Sequence, residues 1–102
     1  MITQAMLKQA IELENIEDRL ISILKEIIGN SAVDDDSDIN IILKQSPIGY
    51  NGAAAEFLDL LGKEFKLPRE ELLRIKETYA EKSITVSNVA YILYDFIHTN
   101  AT

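Results

Sequence analysis

Residues 49–67 read GYNGAAAEFLDLLGKEFKL and decide which fold this chain can adopt. A turn with two glycines and Asn51 opens the stretch, and apolar residues then recur at spacings of one, three and four, as on one face of an α-helix. Glu56, Asp59 and Glu64 fall on the other side of that helix. The pattern predicts an amphipathic helix with a buried face and an acidic solvent face. Its apolar residues are Phe57, Leu58, Leu61 and Phe65.

Helical spacing also runs through the residues that precede this central helix. Apolar side chains recur every three or four positions from Ile2 to Ile28, which predicts a long first helix. The pattern is weakest at residues 13–16, so a leading helix over residues 3–12 could be separate from one over residues 17–28. Gly29 comes directly after the predicted helix, at the position where helices commonly end with a left-handed backbone conformation.

The connection over residues 32–50 is nineteen residues long, which is more than compact domains usually leave without structure. We expect it to contain a turn and a short helical or extended piece. Ile39, Ile41 and Ile42 would anchor that piece to the core. Pro47 should stop any helix that precedes it.

Two more helices are predicted after the central one. Pro68 suits the first turn of a third helix that ends near Lys82, and Thr85 is a plausible N-cap for the last helix. The chain is therefore predicted to be all-α and to form one domain over residues 1–102, with residues 1–15 as an N-terminal helical extension. The expected apolar residues are Leu72, Leu73, Ile75 and Tyr79 in the third helix, and Val86, Val89, Leu93, Phe96 and Ile97 in the last.

Charge and composition exclude several classes of function. The formal net charge is −7 and the pI is about 4.6, so nucleic acid and anionic membrane surfaces would be repelled, whereas a basic protein partner would be attracted. The chain has no cysteine, which rules out disulfides and suits a cytoplasmic location. No signal peptide and no membrane-spanning stretch are predicted.

An acidic run at residues 33–38, VDDDSD, is the strongest candidate for a metal site. Alternate carboxylates can bind calcium, but a calcium loop needs glycine where this chain has Ile39 and glutamate where it has Gln45. We therefore expect no metal here. Instead of a calcium site, we expect a solvated loop in which Ser37 or Asp38 caps a short helix.

No catalytic residues are predicted. His98 is the only histidine and has no second histidine or cysteine with which to share a metal. The carboxylate pairs Glu12–Glu14 and Glu70–Glu71 are expected to lie on ordinary helix surface, because no cleft is evident around them. Catalysis by this chain alone is not expected.

The order of these parts resembles that of acyl carrier proteins and the related peptidyl carrier domains. The likeness extends over residues 16–97 and implies a four-helix bundle with a long loop between helices I and II. It is carried by residues 16–20 and 27–28 of the first helix, 49–52 of the turn, 56–61 and 64–65 of the second helix, and 84–86 and 95–97 of the last.

In that family the turn reads Gly-x-Asp-Ser-Leu, and its serine carries a 4′-phosphopantetheine arm. The serine position falls at Gly52 when counted forward from Gly49 and at Asn51 when counted back from Phe65. Neither residue has a hydroxyl group. The resemblance therefore implies phosphopantetheine as the family's cofactor but leaves this chain without the residue that would attach it.

The resemblance also assigns a partner surface. Glu56 matches a recognition glutamate of the family's second helix, with Asp59 and Glu64 close by. Residues 53–55, three alanines, would add a small-residue surface that another backbone could approach. The leading hypothesis is an acyl-carrier-like binding module for a synthase or acyl-transfer partner in fatty acid or polyketide biosynthesis.

Two alternatives remain open from the sequence. The chain could be a working carrier, either with its arm on an unusual hydroxyl such as Ser46 or Tyr50, or as a variant whose serine has been replaced. It could instead be an unrelated helical bundle that self-associates through exposed apolar residues of the leading segment, such as Ile2, Met6 and Leu7.

Overall fold

A computed structural model of the chain describes residues 4–29, 33–34, 36–81 and 84–100. Ile2, Asp35, Lys82 and Ser83 lie outside these residues, as does the side chain of Tyr79. The predicted all-α class is confirmed for the described chain, which contains helices and no strand. The helices are α1 (Gln4–Ile28), α2 (Ile39–Lys44), α3 (Gly49–Phe65), α4 (Arg69–Glu81) and α5 (Val86–Asn100).

The first helix, α1, is continuous over 25 residues. The weak apolar pattern at residues 13–16 does not divide it, because no glycine or proline interrupts it there and Ile16 and Leu20 are buried against the other helices. The described part of the predicted extension therefore belongs to α1. The predicted C-cap is confirmed: Gly29 has φ +67°, and its N–H donates to the Lys25 carbonyl at 2.8 Å.

The long connection contains the short helix α2, as the sequence allowed. Asp38 is its N-cap and accepts a 3.1 Å hydrogen bond from the N–H of Ile41. Ile39 and Ile42 are buried as predicted, but the prediction for Ile41 was wrong, because its side chain is 57% exposed. Helical spacing explains the difference: Ile39, Ile42 and Leu43 share one face, and Leu43 takes the place expected for Ile41.

A single backbone bridge joins the beginnings of α2 and α5. Asp38 and Thr85 form an isolated antiparallel bridge, in which the N–H of Ile39 donates to the carbonyl of Ile84 at 2.9 Å. The Thr85 hydroxyl accepts a 3.2 Å hydrogen bond from the N–H of Asn88, which confirms Thr85 as the N-cap of α5. Two helices that are distant in sequence therefore begin at the same end of the domain.

The core is built around α1, α2 and α3. Helix α1 packs against α5, α3 and α2, α2 also packs against α3, and α4 packs against α3 and α2. The predicted apolar face of α3 is confirmed, since Phe57 and Leu61 are fully buried while Leu58 and Phe65 are partly buried against the core. The largest fully buried side chains are Phe57, Leu20, Leu24, Ile39, Leu43, Leu61, Ile75 and Leu93.

The inner face of α4 holds only some of the apolar residues of this helix. Ile75 is fully buried and Leu72 is partly buried, whereas Leu73 is 46% exposed. The residue that shares the inner face with Ile75, one helical turn earlier, is Glu71, which is only 8% exposed. A carboxylate therefore occupies a position where periodicity alone would place an apolar side chain.

Candidate docking surface on α3

The turn before α3 is shaped by Ser46 and Gly49. Ser46 is 7% exposed, and its hydroxyl oxygen accepts a 3.3 Å hydrogen bond from the N–H of Ile48. The Ser46 carbonyl accepts from the N–H of Gly49 at 3.1 Å, and Gly49 has φ +84°, a conformation that favours glycine. Asn51 and Gly52, which follow this turn, are exposed.

Tyr50 ties the start of α3 to α2. Its hydroxyl donates a 2.7 Å hydrogen bond to Oδ1 of Asn40, and its side chain is half-buried. Ser46 and Tyr50 were the two hydroxyls considered as unusual attachment points. The structure buries the first, and the hydroxyl of the second is engaged in a hydrogen bond.

Asn51 and Gly52, the two residues at the predicted attachment position, lie exposed on the first turn of α3. Neither side chain carries a hydroxyl. A Cβ built on Gly52 would lie 3.4 Å from Cδ1 and Cγ1 of Ile48, which is ordinary van der Waals contact with an exposed side chain. A serine would therefore fit at position 52.

The three alanines do not form the small-residue surface that the sequence predicted. Ala53 and Ala54 are 0% and 6% exposed, respectively, whereas Ala55 is exposed. The prediction was wrong for the first two because they follow the same inward face as Phe57 and Leu61. Their small size lets α3 lie close to its own neighbouring helices rather than to a partner.

Two acidic residues form the outward face in the middle of α3. Glu56 is exposed and makes no ion pair with any other residue that the structure describes. One turn later, Oδ2 of Asp59 lies 3.0 Å from Nζ of Lys63, in an exposed i, i+4 pair. The negative charge available to a partner is therefore concentrated at Glu56, with Asp59 partly neutralised.

The third predicted partner residue, Glu64, forms an ion pair with a residue of its own chain. Nε of Arg19 lies 2.8 Å from Oε1 of Glu64, and Nη2 of Arg19 donates to the Glu64 carbonyl at 2.9 Å. The same guanidinium lies 4.4 Å from the centre of the Phe65 ring. Because Arg19 is 45 positions away on α1, no local sequence signal could have revealed this contact.

In the acidic loop before α2, the carboxylates of Asp34 and Asp38 accept hydrogen bonds from nearby residues of the loop and of α2. Oδ1 of Asp34 accepts hydrogen bonds from the N–H of Asp36 at 3.0 Å and from the Ser37 hydroxyl at 3.1 Å. Asp38 caps α2, as one of the sequence alternatives proposed. Among the described residues, no group of three or more histidine, aspartate or glutamate side chains is placed to hold a metal ion.

His98 joins the end of α5 to α1. Its Nε2 lies 2.6 Å from Oε2 of Glu12, and its ring centre is 4.2 Å from that of Tyr94. The Glu12 side chain is 40% exposed, so it lies on the helix surface as predicted but pairs there with His98. The pair links residues 86 positions apart and forms part of the contact between the two helices.

The second carboxylate pair borders a cleft that the sequence did not reveal. The cleft has a volume of about 390 Å³ and lies between α4 and α5; we call it the α4/α5 cleft. The Glu71 side chain is only 10% exposed, so the prediction of ordinary surface was wrong for this residue. The residues that line the cleft are Pro68, Glu70, Glu71, Arg74, Ile92, Asp95, Phe96 and Thr99.

Comparisons with known proteins give no family assignment. No family model matches the chain, and neither the curated proteins nor the solved structures include a significant match. Within the described helices, none is both long enough and apolar enough to cross a membrane.

Proposed function

We propose that this protein is an acyl-carrier-like module that lacks the phosphopantetheine-attachment serine and acts by binding a basic partner, a synthase or an acyltransferase. The observation that carries the proposal is the first part of α3. Asn51 and Gly52 are exposed at the attachment position without a hydroxyl, and Glu56 follows on the outward face.

The order of the helices supports the carrier-like part of the proposal. The features that support it are a long α1, a long connection, glycines in the first turn of α3 and a final helix packed on α1, which is the order of parts that the resemblance implies. In this proposal α1, α3, α4 and α5 correspond to the four helices of the carrier bundle, and α2 is a short helix within the long loop.

Charge supports the binding part of the proposal. An exposed carboxylate in a protein of net charge −7 attracts a basic surface, and such complementarity contributes mainly to the rate and orientation of encounter. Glu56 and Asp59 supply this charge, while Glu64 serves mainly to join α3 to α1. The docking face therefore centres on Glu56.

Intact-mass measurement tests whether the chain can accept a phosphopantetheine arm. After incubation with coenzyme A and a broad-specificity phosphopantetheinyl transferase, the wild-type mass should stay unchanged. Asn51→Ser or Gly52→Ser should gain the mass of one arm, because each places an exposed hydroxyl at the start of α3. Ala55→Ser, an exposed serine one turn later in the same helix, is the matched control and should stay unmodified.

The results of this assay separate the hypotheses. Modification of the wild-type chain, either in the assay or in protein purified from its native cells, would establish a working carrier and contradict the proposal. Failure of both serine variants, with their helical content unchanged, would remove the support for carrier ancestry. In a variant that is modified, Glu56→Lys should slow the reaction, whereas Glu77→Lys on α4 should not.

One observation favours a second candidate, the self-associating bundle. Met6, Leu7 and Ile11 are 56%, 54% and 51% exposed on the first turns of α1. Ile2, which belonged to the same predicted patch, lies outside the described residues. Sedimentation of the full chain and of Leu7→Gln/Ile11→Gln tests this candidate, since a monomer in both cases would remove its basis.

A further inference from the structure

We propose that the α4/α5 cleft binds an arginine or lysine side chain from a basic segment of a protein partner. This site is separate from the α3 face and does not depend on carrier ancestry. Its volume of about 390 Å³ is within the range of roughly 300–1,000 Å³ that small-ligand sites occupy, so it has room for a long side chain.

The central observation is the buried carboxylate of Glu71. Its side chain is 10% exposed, and within the described ranges no donor lies at hydrogen-bonding distance from its carboxylate oxygens. Among the described residues its ion-pair partner is Arg74, whose Nη1 lies 3.8 Å away in a side chain that is 74% exposed. Buried polar groups are normally hydrogen-bonded, so this carboxylate is suited to accept from a cation that enters the cleft.

The remaining lining residues define the chemistry of the occupant. Glu70 and Asp95 add two carboxylates, so three negative groups face one positive group, Arg74, and the formal charge of the lining is −2. Ile92 and Phe96 supply partly buried apolar surface from α5. A lysine or arginine matches both features, because its methylene stem packs on apolar surface while its charged end meets carboxylates.

Nuclear magnetic resonance titration of the full chain tests the proposal. The probe is a blocked Gly-Arg-Gly-Arg-Gly peptide, and the control is the same peptide with citrulline, a neutral isostere, in place of arginine. We expect the arginine peptide to shift the amide signals of residues 70–74 and 92–99. Binding should weaken as salt is added, because Glu70 and Asp95 at the rim of the cleft are exposed and their attraction for the peptide is screened.

Three variants then assign the binding to these residues. Glu71→Gln should weaken binding about tenfold, as expected when a hydrogen-bonded charge partner is lost. Asp95→Asn should weaken it about two- to fivefold, since that side chain is exposed. Arg74→Gln should strengthen it about two- to fivefold, because the competing internal cation is removed. Asp59→Asn, with the same charge change on α3, should leave binding at the cleft unchanged.

Several results would overturn the proposal. These are equal binding of the citrulline peptide, shifts centred on α3 rather than on the cleft, and unchanged binding in both Glu71→Gln and Asp95→Asn. The exposed Asp95 keeps the test informative if Glu71→Gln lowers stability. Binding of spermidine without binding of the peptide would also contradict the proposed occupant, since it would indicate a small polyamine rather than a protein segment.

Discussion

Arg19 on α1 and Glu64 at the end of α3 make a two-point contact. Nε of Arg19 lies 2.8 Å from Oε1 of Glu64, while Nη2 donates to the Glu64 backbone carbonyl at 2.9 Å. The guanidinium also lies over the Phe65 ring. One side chain thus anchors the C-terminal turn of α3 and satisfies the Glu64 carbonyl, one of the last four carbonyls that have no partner within the helix.

The first prediction concerns this contact. Arg19→Ala should lower the free energy of unfolding by about 1 kcal/mol, a modest value because both side chains are 45% exposed. Glu64→Gln should lower the free energy of unfolding by a smaller amount, since the contacts of Arg19 with the carbonyl and the ring remain. Urea unfolding of both variants measures the difference. An equal loss in the two variants would mean that the ion pair alone accounts for the stabilisation.

The second prediction concerns the hydrogen bond from Tyr50 to Asn40. Tyr50→Phe should reduce stability by about 0.5–1.5 kcal/mol, because the variant removes a partly buried hydrogen bond between α3 and α2. Tyr91→Phe removes a hydroxyl from a side chain that is 57% exposed and should change stability by less than about 0.5 kcal/mol. Comparable losses in the two variants would contradict a specific role for Tyr50.

The third prediction concerns the backbone at the end of α3. Lys66 adopts a left-handed conformation, with φ 54° and ψ 49°, and the N–H of Leu67 donates to the Gly62 carbonyl at 3.2 Å. Since this conformation costs a non-glycine residue about 1–2 kcal/mol, Lys66→Gly should stabilise the protein by about 0.5–1 kcal/mol after the entropy of glycine is counted.

Gly29→Ala is the reciprocal test at the end of α1. Gly29 has φ +67°, and an added Cβ would meet nothing within 4 Å, so any loss would come from the backbone alone. We expect a destabilisation of about 1 kcal/mol. Thermal unfolding of both variants checks the pair, and a destabilised Lys66→Gly would contradict the account of strain at Lys66.

The fourth prediction concerns the N-cap of α5. Thr85 and Asn88 bond reciprocally: the Thr85 hydroxyl accepts from the Asn88 N–H, and Oδ1 of Asn88 accepts from the Thr85 N–H at 3.1 Å. Thr85→Ala should lower the free energy of unfolding by about 1 kcal/mol, whereas Thr85→Ser should keep most of the wild-type stability. Circular dichroism melting curves measure both, and a serine variant as unstable as alanine would exclude capping as the cause.

Local chemistry was sufficient to predict the all-α class and some of the helix ends. The period of the apolar residues predicted the inward face of α3 through Phe57 and Leu61, because that period depends only on helix geometry. Gly29 and Thr85 were identified as caps from their own backbone and side-chain preferences. The absence of a hydroxyl at Asn51 and Gly52 also follows from the sequence alone.

Only the tertiary structure decided which polar groups meet. Arg19 with Glu64 and Glu12 with His98 bring together residues from different helices, and nothing in the local pattern of either partner encodes the distance. The burial of Glu71, at a cleft lined by α4 and α5, likewise has no signal in the local sequence. Helical periodicity specifies a face, whereas the neighbour of that face is set by the packing of the whole chain.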